Sequence, residues 1–148
     1  MRQFIVRWNK LVFTRQVKKT KDDVNALSEA HLLLVEDNDI NQEIIMAILD
    51  DKVLSIDVVG NGQEALDLLE EKSFDGILMD CHMPVMDGYE ATQKIRAKEQ
   101  FKDLPIIALT ANVMLADREK ALAVGMNDIV EKPIVLDQLL KVLSQWIK

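Results

Sequence analysis

The strongest constraint on the fold is an alternation that begins at residue 31, where short apolar runs are separated by longer segments of helical period. A continuous apolar run such as HLLLV, which ends in Glu36 and Asp37, is typical of a strand buried on both faces. Runs of this kind predict five strands, at His31–Val35, Ser55–Val59, Gly76–Asp80, 105–109 and Asp128–Glu131. The segments between and after them predict five helices.

Capping signals mark several helix ends. Asn61 lies three residues before Glu64, and Asp87 three residues before Glu90, which is the spacing of a capping box. Gly125 follows the predicted helix Leu115–Val124 as a C-terminal cap. Apolar residues also recur at helical spacing in the first helix (Ile40, Ile44, Ala47, Ile48) and in the last (Leu136, Leu139, Leu140, Leu143). A further helix is predicted over residues 89–97.

Strands that alternate with helices through short connections form a parallel sheet. The crossovers are right-handed, so helices cover both faces. Five strands with no G-x-G-x-x-G after the first favour the flavodoxin-like strand order 2-1-3-4-5. We therefore predict an α/β domain over residues 31–148, built on a doubly wound five-stranded parallel sheet.

The composition is that of an ordinary globular protein, with 49% hydrophobic and 29% charged residues. The longest apolar runs, at 32–35 and 44–49, are far shorter than the roughly 18 residues of a membrane span. The single Cys81 cannot form an internal disulfide, and the N-terminus lacks the apolar stretch and cleavage site of a signal peptide. These features predict a cytoplasmic protein.

Charge is distributed unevenly along the chain. Residues 1–21 carry seven basic residues and no acidic one, whereas the rest carries all 25 acidic residues against eleven basic ones. Residues 3–19 combine basic residues with apolar ones at helical spacing, and 20–30 read as a polar linker. Residues 1–30 are thus predicted to be a basic amphipathic arm and linker. Its role stays open between a linker helix of a larger protein, pairing with another chain or with the acidic body, and contact with a membrane surface or nucleic acid.

Polar residues collect where the predicted strands end: Glu36, Asp37, Asp80, Thr110 and Lys132. The carboxyl ends of strands in an open α/β sheet form the crevice in which ligands bind. Three carboxylates there would either be solvated and cap helix starts, or bind a hard cation. Mg²⁺ prefers oxygen ligands, and the absence of clustered His or Cys argues against zinc.

A phosphoryl group would account for the remaining two polar residues. Lys132, Thr110 and a metal could each meet a different phosphoryl oxygen, which is the charge neutralisation that phosphoryl transfer requires. A carboxylate nucleophile that forms an aspartyl phosphate is established chemistry.

These residues carry a family resemblance. Over residues 31–148 the chain resembles response-regulator receiver domains, through LVEDN at 34–38, MDCHMPVMDG at 79–88, ALTA at 108–111 and EKPI at 131–134. The longer phrases LVEDNDINQ, DCHMPVMDGYE and GMND are similar to the receivers of hybrid sensor histidine kinases.

The resemblance implies a role for each residue of the site. Asp80 would be the phosphoacceptor, receiving the group from a phosphohistidine. Asp37 and Asp80 would bind Mg²⁺ directly together with the backbone carbonyl of His82, and Glu36 would act through water.

The resemblance also implies that Thr110 moves towards the phosphate, that Lys132 pairs with it, and that the Lys132–Pro133 bond is cis. One departure concerns switching, because Ile129 occupies a position where the family often has an aromatic residue. A branched aliphatic side chain cannot make the same contacts, so a Thr–aromatic switch is in doubt.

The implied function is that of a signalling domain rather than an enzyme, although a parent hybrid protein would be a histidine kinase. Expected partners are a histidine kinase or a histidine-phosphotransfer protein, and a second copy of the chain in a homodimer. No output domain is expected after the last helix, so the output would be a protein contact. No nucleic-acid partner is expected, and membrane contact only through the basic arm.

Three other classes fit less well. A phosphohydrolase resembling the haloacid-dehalogenase family needs an Asp two residues after the nucleophile, where this chain has His82. A flavin-binding module of the same topology would not place three carboxylates at a phosphate site. A receiver-like domain that is never phosphorylated would not need every chemical position to be filled.

Overall fold

The computed structural model describes residues 27–83, 85–111 and 114–147, so the predictions for the basic arm and linker lie outside the described residues except at 27–30. Of these four residues, Leu27 and Ala30 are buried in one of the domain's apolar clusters. Strands and α-helices alternate strictly within them. The strands are β1 (His31–Val35), β2 (Ser55–Val59), β3 (Gly76–Asp80), β4 (Ile106–Thr110) and β5 (Asp128–Glu131). The helices are α1 (Asp39–Leu49), α2 (Gly62–Leu69), α3 (Gly88–Arg96), α4 (Leu115–Val124) and α5 (Leu136–Trp146). A short 3₁₀ helix, Glu99–Phe101, follows α3.

All five strands are parallel, and their order is β2-β1-β3-β4-β5. This confirms the predicted order 2-1-3-4-5 and the doubly wound α/β class. Successive residues of β1 enter different clusters, because Leu33 packs with α2, α3 and α4, whereas Leu32 and Leu34 pack with α1 and α5. Two apolar cores therefore lie on opposite faces of one sheet, and the carboxyl ends of the strands meet at one edge.

The predicted caps form as hydrogen bonds. Asn61 accepts from the Glu64 N–H at 2.9 Å, and Glu64 reaches back to the N–H of Gly60 at 2.7 Å. Asp87 accepts from the Glu90 N–H at 2.9 Å. Gly125 ends α4 with φ at 108°, a left-handed conformation that favours glycine.

Three element predictions differ from the structure. β4 begins and ends one residue later than the predicted 105–109, and the proline before Ile106 has no N–H for the ladder. Helix α3 begins and ends one residue earlier than the predicted 89–97. In α1 the buried residues are Ile45 and Leu49, whereas Ile40 and Ile44, which begin the predicted apolar series, are exposed.

The last helix packs as its spacing predicts. Leu139 and Leu143 are fully buried in the core shared with α1, and Trp146 packs against the same cluster. The Trp146 indole N–H donates to Asp128 at 3.0 Å, which ties α5 to β5. Among the described helices, none has the length and apolarity that crossing a bilayer would require.

Candidate functional site

Backbone pairing continues one residue beyond the strand ends and thereby fixes the predicted site residues. The N–H of Glu36 donates to Val59 at 3.1 Å, and that of Lys132 donates to Thr110 at 2.8 Å. Asp80 is itself the last residue of β3. Glu36, Asp80, Thr110 and Lys132 therefore lie at one edge of the sheet on four neighbouring strands, as the topology predicts.

Three carboxylates converge at this edge. One side-chain oxygen from each of Glu36, Asp37 and Asp80 lies within 4.8 Å of the other two. Glu36 is completely buried and Asp80 is 4% exposed, whereas Asp37 is exposed. The cluster therefore has two carboxylates in the floor of a crevice and a third at its mouth.

Lys132 is the cation that faces this floor. Its Nζ lies 2.9 Å from Glu36 Oε1 and 3.4 Å from Asp80 Oδ1. Burial by itself would lower the pKa of Lys132, but the hydrogen bond to Glu36 and the two negative charges outweigh it and raise the pKa. Lys132 is therefore held as an ammonium ion between two carboxylates.

The two buried carboxyl groups respond to this environment in opposite directions. Burial would raise the pKa of Glu36, yet its hydrogen bond and charge contact with Lys132 bring that pKa below its usual value. Burial raises the pKa of Asp80 to about 6, the charge of Glu36 adds to the effect, and a 3.1 Å hydrogen bond from the His82 N–H opposes it. Asp80 is therefore the carboxylate whose ionised form is least well compensated.

The donor set fits a hard divalent cation. The three converging side chains offer only oxygen atoms, and one lysine cannot balance three carboxylates. Burial and the charge of Glu36 raise the pKa of Asp80, and a cation at this point would offset that charge. Glu36, Asp37 and Asp80 are the side chains that would hold Mg²⁺. The predicted contribution of the His82 carbonyl stays a prediction.

Thr110 and Ile129 lie on the adjoining strands. Thr110 is 1% exposed at the end of β4, next to the strand that carries Asp80. Ile129, at the position where the family often has an aromatic residue, is buried with Ala121 and Met126. The peptide bond between Lys132 and Pro133 is cis, as the resemblance implied.

The loop after β3 approaches the site closely because of Gly88. A Cβ atom at this position would lie 2.3 Å from the backbone carbonyl oxygen of Asp80. The Gly88 N–H donates to the carbonyl of Cys81 at 3.1 Å, which closes the loop. The start of α3 therefore lies directly against the end of β3.

Sequence reasoning missed two groups of contacts beside the site. Gln42 of α1 donates from Nε2 to the backbone carbonyl of Glu36 at 2.7 Å. Tyr89 of α3 is buried, with Lys120 Nζ of α4 4.2 Å from its ring centroid and the His82 ring 6.1 Å away, edge on. A polar residue one turn into an apolar helix could have indicated the first contact. The second joins different helices and leaves no local signal.

This fold and this site define a class of protein: an open α/β domain with an acidic crevice and a facing lysine. The sequence pattern described as the response regulator receiver domain matches residues 32–144. The chain therefore belongs to the response regulator receiver family and is a receiver domain of two-component signalling.

Curated relatives place similar sequences within much longer proteins. The chain is 38% identical over 138 residues to hybrid signal transduction histidine kinase B of Dictyostelium discoideum, covering 86% of this chain and 7% of that protein. It is 44% identical over 119 residues to two-component system protein A of Emericella nidulans, covering 78% of this chain and 17% of that protein. The chain thus spans less than a fifth of either relative.

Solved structures show the same fold. The receiver domain of sensor histidine kinase PA1611 from Pseudomonas aeruginosa PAO1, which has a magnesium ion in its active site cleft, is 45% identical with a TM-score of 0.74. The alignment covers 80% of this chain and 98% of that one. The receiver of Saccharomyces cerevisiae Ssk1, in complex with the histidine phosphotransfer protein Ypd1, is 36% identical with a TM-score of 0.75. That alignment covers 82% and 90% of the two chains.

Proposed function

We propose that this receiver domain accepts a phosphoryl group from a phosphohistidine onto Asp80, with Mg²⁺ held by Glu36, Asp37 and Asp80. The observation that carries the proposal is the convergence of three carboxylates and Lys132 around one buried aspartate. The magnesium ion in the similar Pseudomonas receiver supports the choice of metal.

In the proposed reaction an Asp80 carboxylate oxygen attacks phosphorus. The new P–O bond replaces the P–N bond to histidine, and the released imidazole nitrogen takes up a proton. With a pKa of about 6, Asp80 is mostly ionised at neutral pH and can act as the nucleophile. A bound Mg²⁺ would supply charge neutralisation for the phosphoryl oxygens.

Lys132 has a further part in this proposal. It lies 3.4 Å from Asp80 and retains its contact with Glu36 at 2.9 Å, so it can donate to a phosphoryl oxygen on Asp80 without leaving the crevice. Thr110, at the end of the adjoining strand, offers a hydroxyl on the other side of β3 from Glu36. The two side chains would divide the phosphoryl oxygens between them.

The proposed partner is a phosphohistidine protein, either a histidine kinase or a histidine-phosphotransfer protein. The yeast receiver in complex with a phosphotransfer protein supports this kind of partner. Further support comes from α1, where Ile40 is 66% and Ile44 is 46% exposed. Ile44 also lines a small cavity of about 90 Å³ with Lys132 and Ile134, so the apolar edge adjoins the site. Contiguous exposed apolar side chains of this kind mark interaction surfaces.

In this proposal the domain is a relay with no turnover of its own, and any kinase activity belongs to a partner or to a longer hybrid protein. A homodimer and a cytoplasmic location remain predictions. Gel filtration with and without beryllofluoride and Mg²⁺ checks the first, and an unchanged elution volume would contradict it.

Phosphorylation from a small donor tests the main proposal. Incubation with acetyl phosphate and Mg²⁺ is expected to add the mass of one phosphoryl group, lost on hydroxylamine treatment as an acyl phosphate should be. The adduct should be absent with EDTA and in Asp80→Asn, and present in the control Asp50→Asn, which alters an exposed carboxylate at the end of α1. An adduct retained in Asp80→Asn, or none in the wild type, would refute the proposal.

A further inference from the structure

Asp37 is the least constrained of the three carboxylates. Glu36 and Asp80 are held by Lys132 and by backbone N–H groups. Within residues 27–83, 85–111 and 114–147, the Asp37 carboxylate has no hydrogen bond or ion pair, and the side chain is exposed. Its direction therefore depends on the backbone that carries it.

Gln42 is the residue that holds this backbone from the side of α1. Its Nε2 donates to the Glu36 carbonyl at 2.7 Å, and its own N–H donates to the carbonyl of Asn38 at 3.0 Å. The Glu36 carbonyl belongs to the peptide unit that joins Glu36 to Asp37. A change in the Glu36 ψ angle moves this carbonyl and, when the Asp37 φ angle does not compensate, turns the Cα–Cβ bond of Asp37 away from the other two carboxylates.

The other hydrogen bonds of this turn involve the N–H and the side chain of Glu36 and not its carbonyl. The Glu36 N–H is bound to Val59 at 3.1 Å, and the Glu36 side chain accepts from Asn38 N–H at 3.2 Å. These contacts fix where Glu36 lies but do not hold its carbonyl. Among the described residues, only the Gln42 side chain donates a hydrogen bond to that oxygen.

We infer that Gln42 is a positioning residue for the metal, aiming Asp37 into the acidic crevice by holding the Glu36–Asp37 peptide. The inference rests on the proposed Mg²⁺ site. Without the Gln42 amide, Asp37 becomes ordered only when the ion binds. The conformational entropy lost in that step weakens Mg²⁺ binding. A hydrogen bond of ordinary net strength corresponds to roughly a three- to tenfold change in Mg²⁺ affinity.

Two substitutions separate positioning from electrostatics. Gln42→Met keeps the length of the side chain and removes the donor. Gln42→Glu keeps the shape, removes the donor when ionised and adds a negative charge near the cluster. Simple electrostatics predicts that Gln42→Glu binds Mg²⁺ more tightly, whereas loss of positioning predicts weaker binding. The matched control is Gln63→Met, since Gln63 is an exposed glutamine on α2 with its own side-chain hydrogen bond, to Asp67 at 3.1 Å.

The measurement is the Mg²⁺ dissociation constant by titration calorimetry, paired with the urea midpoint in EDTA. We expect both Gln42 variants to bind roughly three- to tenfold more weakly, Gln63→Met to match the wild type, and the midpoints to change little. A lowered midpoint with unchanged Mg²⁺ affinity would show a merely structural role and overturn the inference, as would tighter binding by Gln42→Glu. If wild type binds Mg²⁺ and is phosphorylated while Gln42→Met matches it, only this inference fails. If wild type binds no Mg²⁺, the proposed function fails with it.

Discussion

Replacing Asp80 by Asn is expected to stabilise the metal-free domain at neutral pH, although it removes the proposed phosphoacceptor. Asp80 is 4% exposed and faces Glu36, so its ionised form is poorly solvated. Asn is of nearly the same size and can still accept the 3.1 Å hydrogen bond from the His82 N–H. The substitution therefore removes the unfavourable charge and keeps the local packing.

The magnitude follows from the pKa of Asp80, which burial raises from 3.8 to about 6. Each unit of pKa difference between folded and unfolded chains corresponds to about 1.4 kcal/mol, so the expected gain is about 2 to 3 kcal/mol. The folded state binds the proton more tightly, so this contribution to stability is complete below pH 3.8 and is lost as the pH rises through about 6. The advantage of Asp80→Asn should therefore be near zero at about pH 4 and level off above about pH 7.

Urea unfolding in EDTA between about pH 4 and pH 8 measures this difference, with Asp50→Asn as the control. The exposed Asp50 substitution is expected to stay within about 0.5 kcal/mol of wild type. Added Mg²⁺ should narrow or reverse the difference, because an ion that binds the folded wild type stabilises it by mass action. An Asp80→Asn variant that is less stable than wild type in EDTA at about pH 8, or a difference independent of pH, would refute the reasoning.

Three further substitutions test other contacts. Lys132→Met leaves Glu36 and Asp80 without their cation, so it should lower the unfolding free energy by about 3 kcal/mol in urea without metal. A loss under about 1 kcal/mol would contradict the buried ion pairing. Val85→Asn should raise the unfolding free energy by about 1 kcal/mol, because a β-branched residue is held there at φ 72°. A thermal midpoint that does not rise would count against backbone strain at this position. Arg96→Lys should lower the unfolding free energy by about 2 kcal/mol and speed amide exchange after α4, since one ammonium cannot replace three guanidinium hydrogen bonds. A wild-type thermal midpoint would argue against a stabilising role for these bonds.

The strands could be predicted from the sequence because their environment is simple. Strands covered on both faces need continuous apolar runs. Every residue in Leu32–Leu34 and Ile77–Met79 is apolar, so the strand assignment does not depend on which face is buried. Cap positions such as Asn61 were equally accessible, because a capping bond joins residues three positions apart. The polar residues at strand ends followed from topology, since parallel strands bring their carboxyl ends to one edge.

The features that could not be predicted depend on contacts distant in sequence or on a choice between similar faces. Helix α1 carries apolar residues on two sides, and only the packed structure shows that Ile45 is buried and Ile40 exposed. The Gln42 contact with a backbone carbonyl requires the exact turn between β1 and α1. The stacking of Lys120 on Tyr89 joins two helices whose relative position no local pattern encodes.

The electrostatics of the crevice link stability to function. One lysine faces two buried carboxylates, and a third carboxylate lies at the mouth, so the site holds excess negative charge in a place where water is largely excluded. Burial, together with that excess, raises the pKa of Asp80 and accounts for the stability expected from Asp80→Asn. A second lysine would relieve it, but would also neutralise the charge that attracts a divalent cation. An uncompensated aspartate is therefore a local destabilisation that the proposed metal chemistry requires, and a more stable crevice should be a weaker metal site.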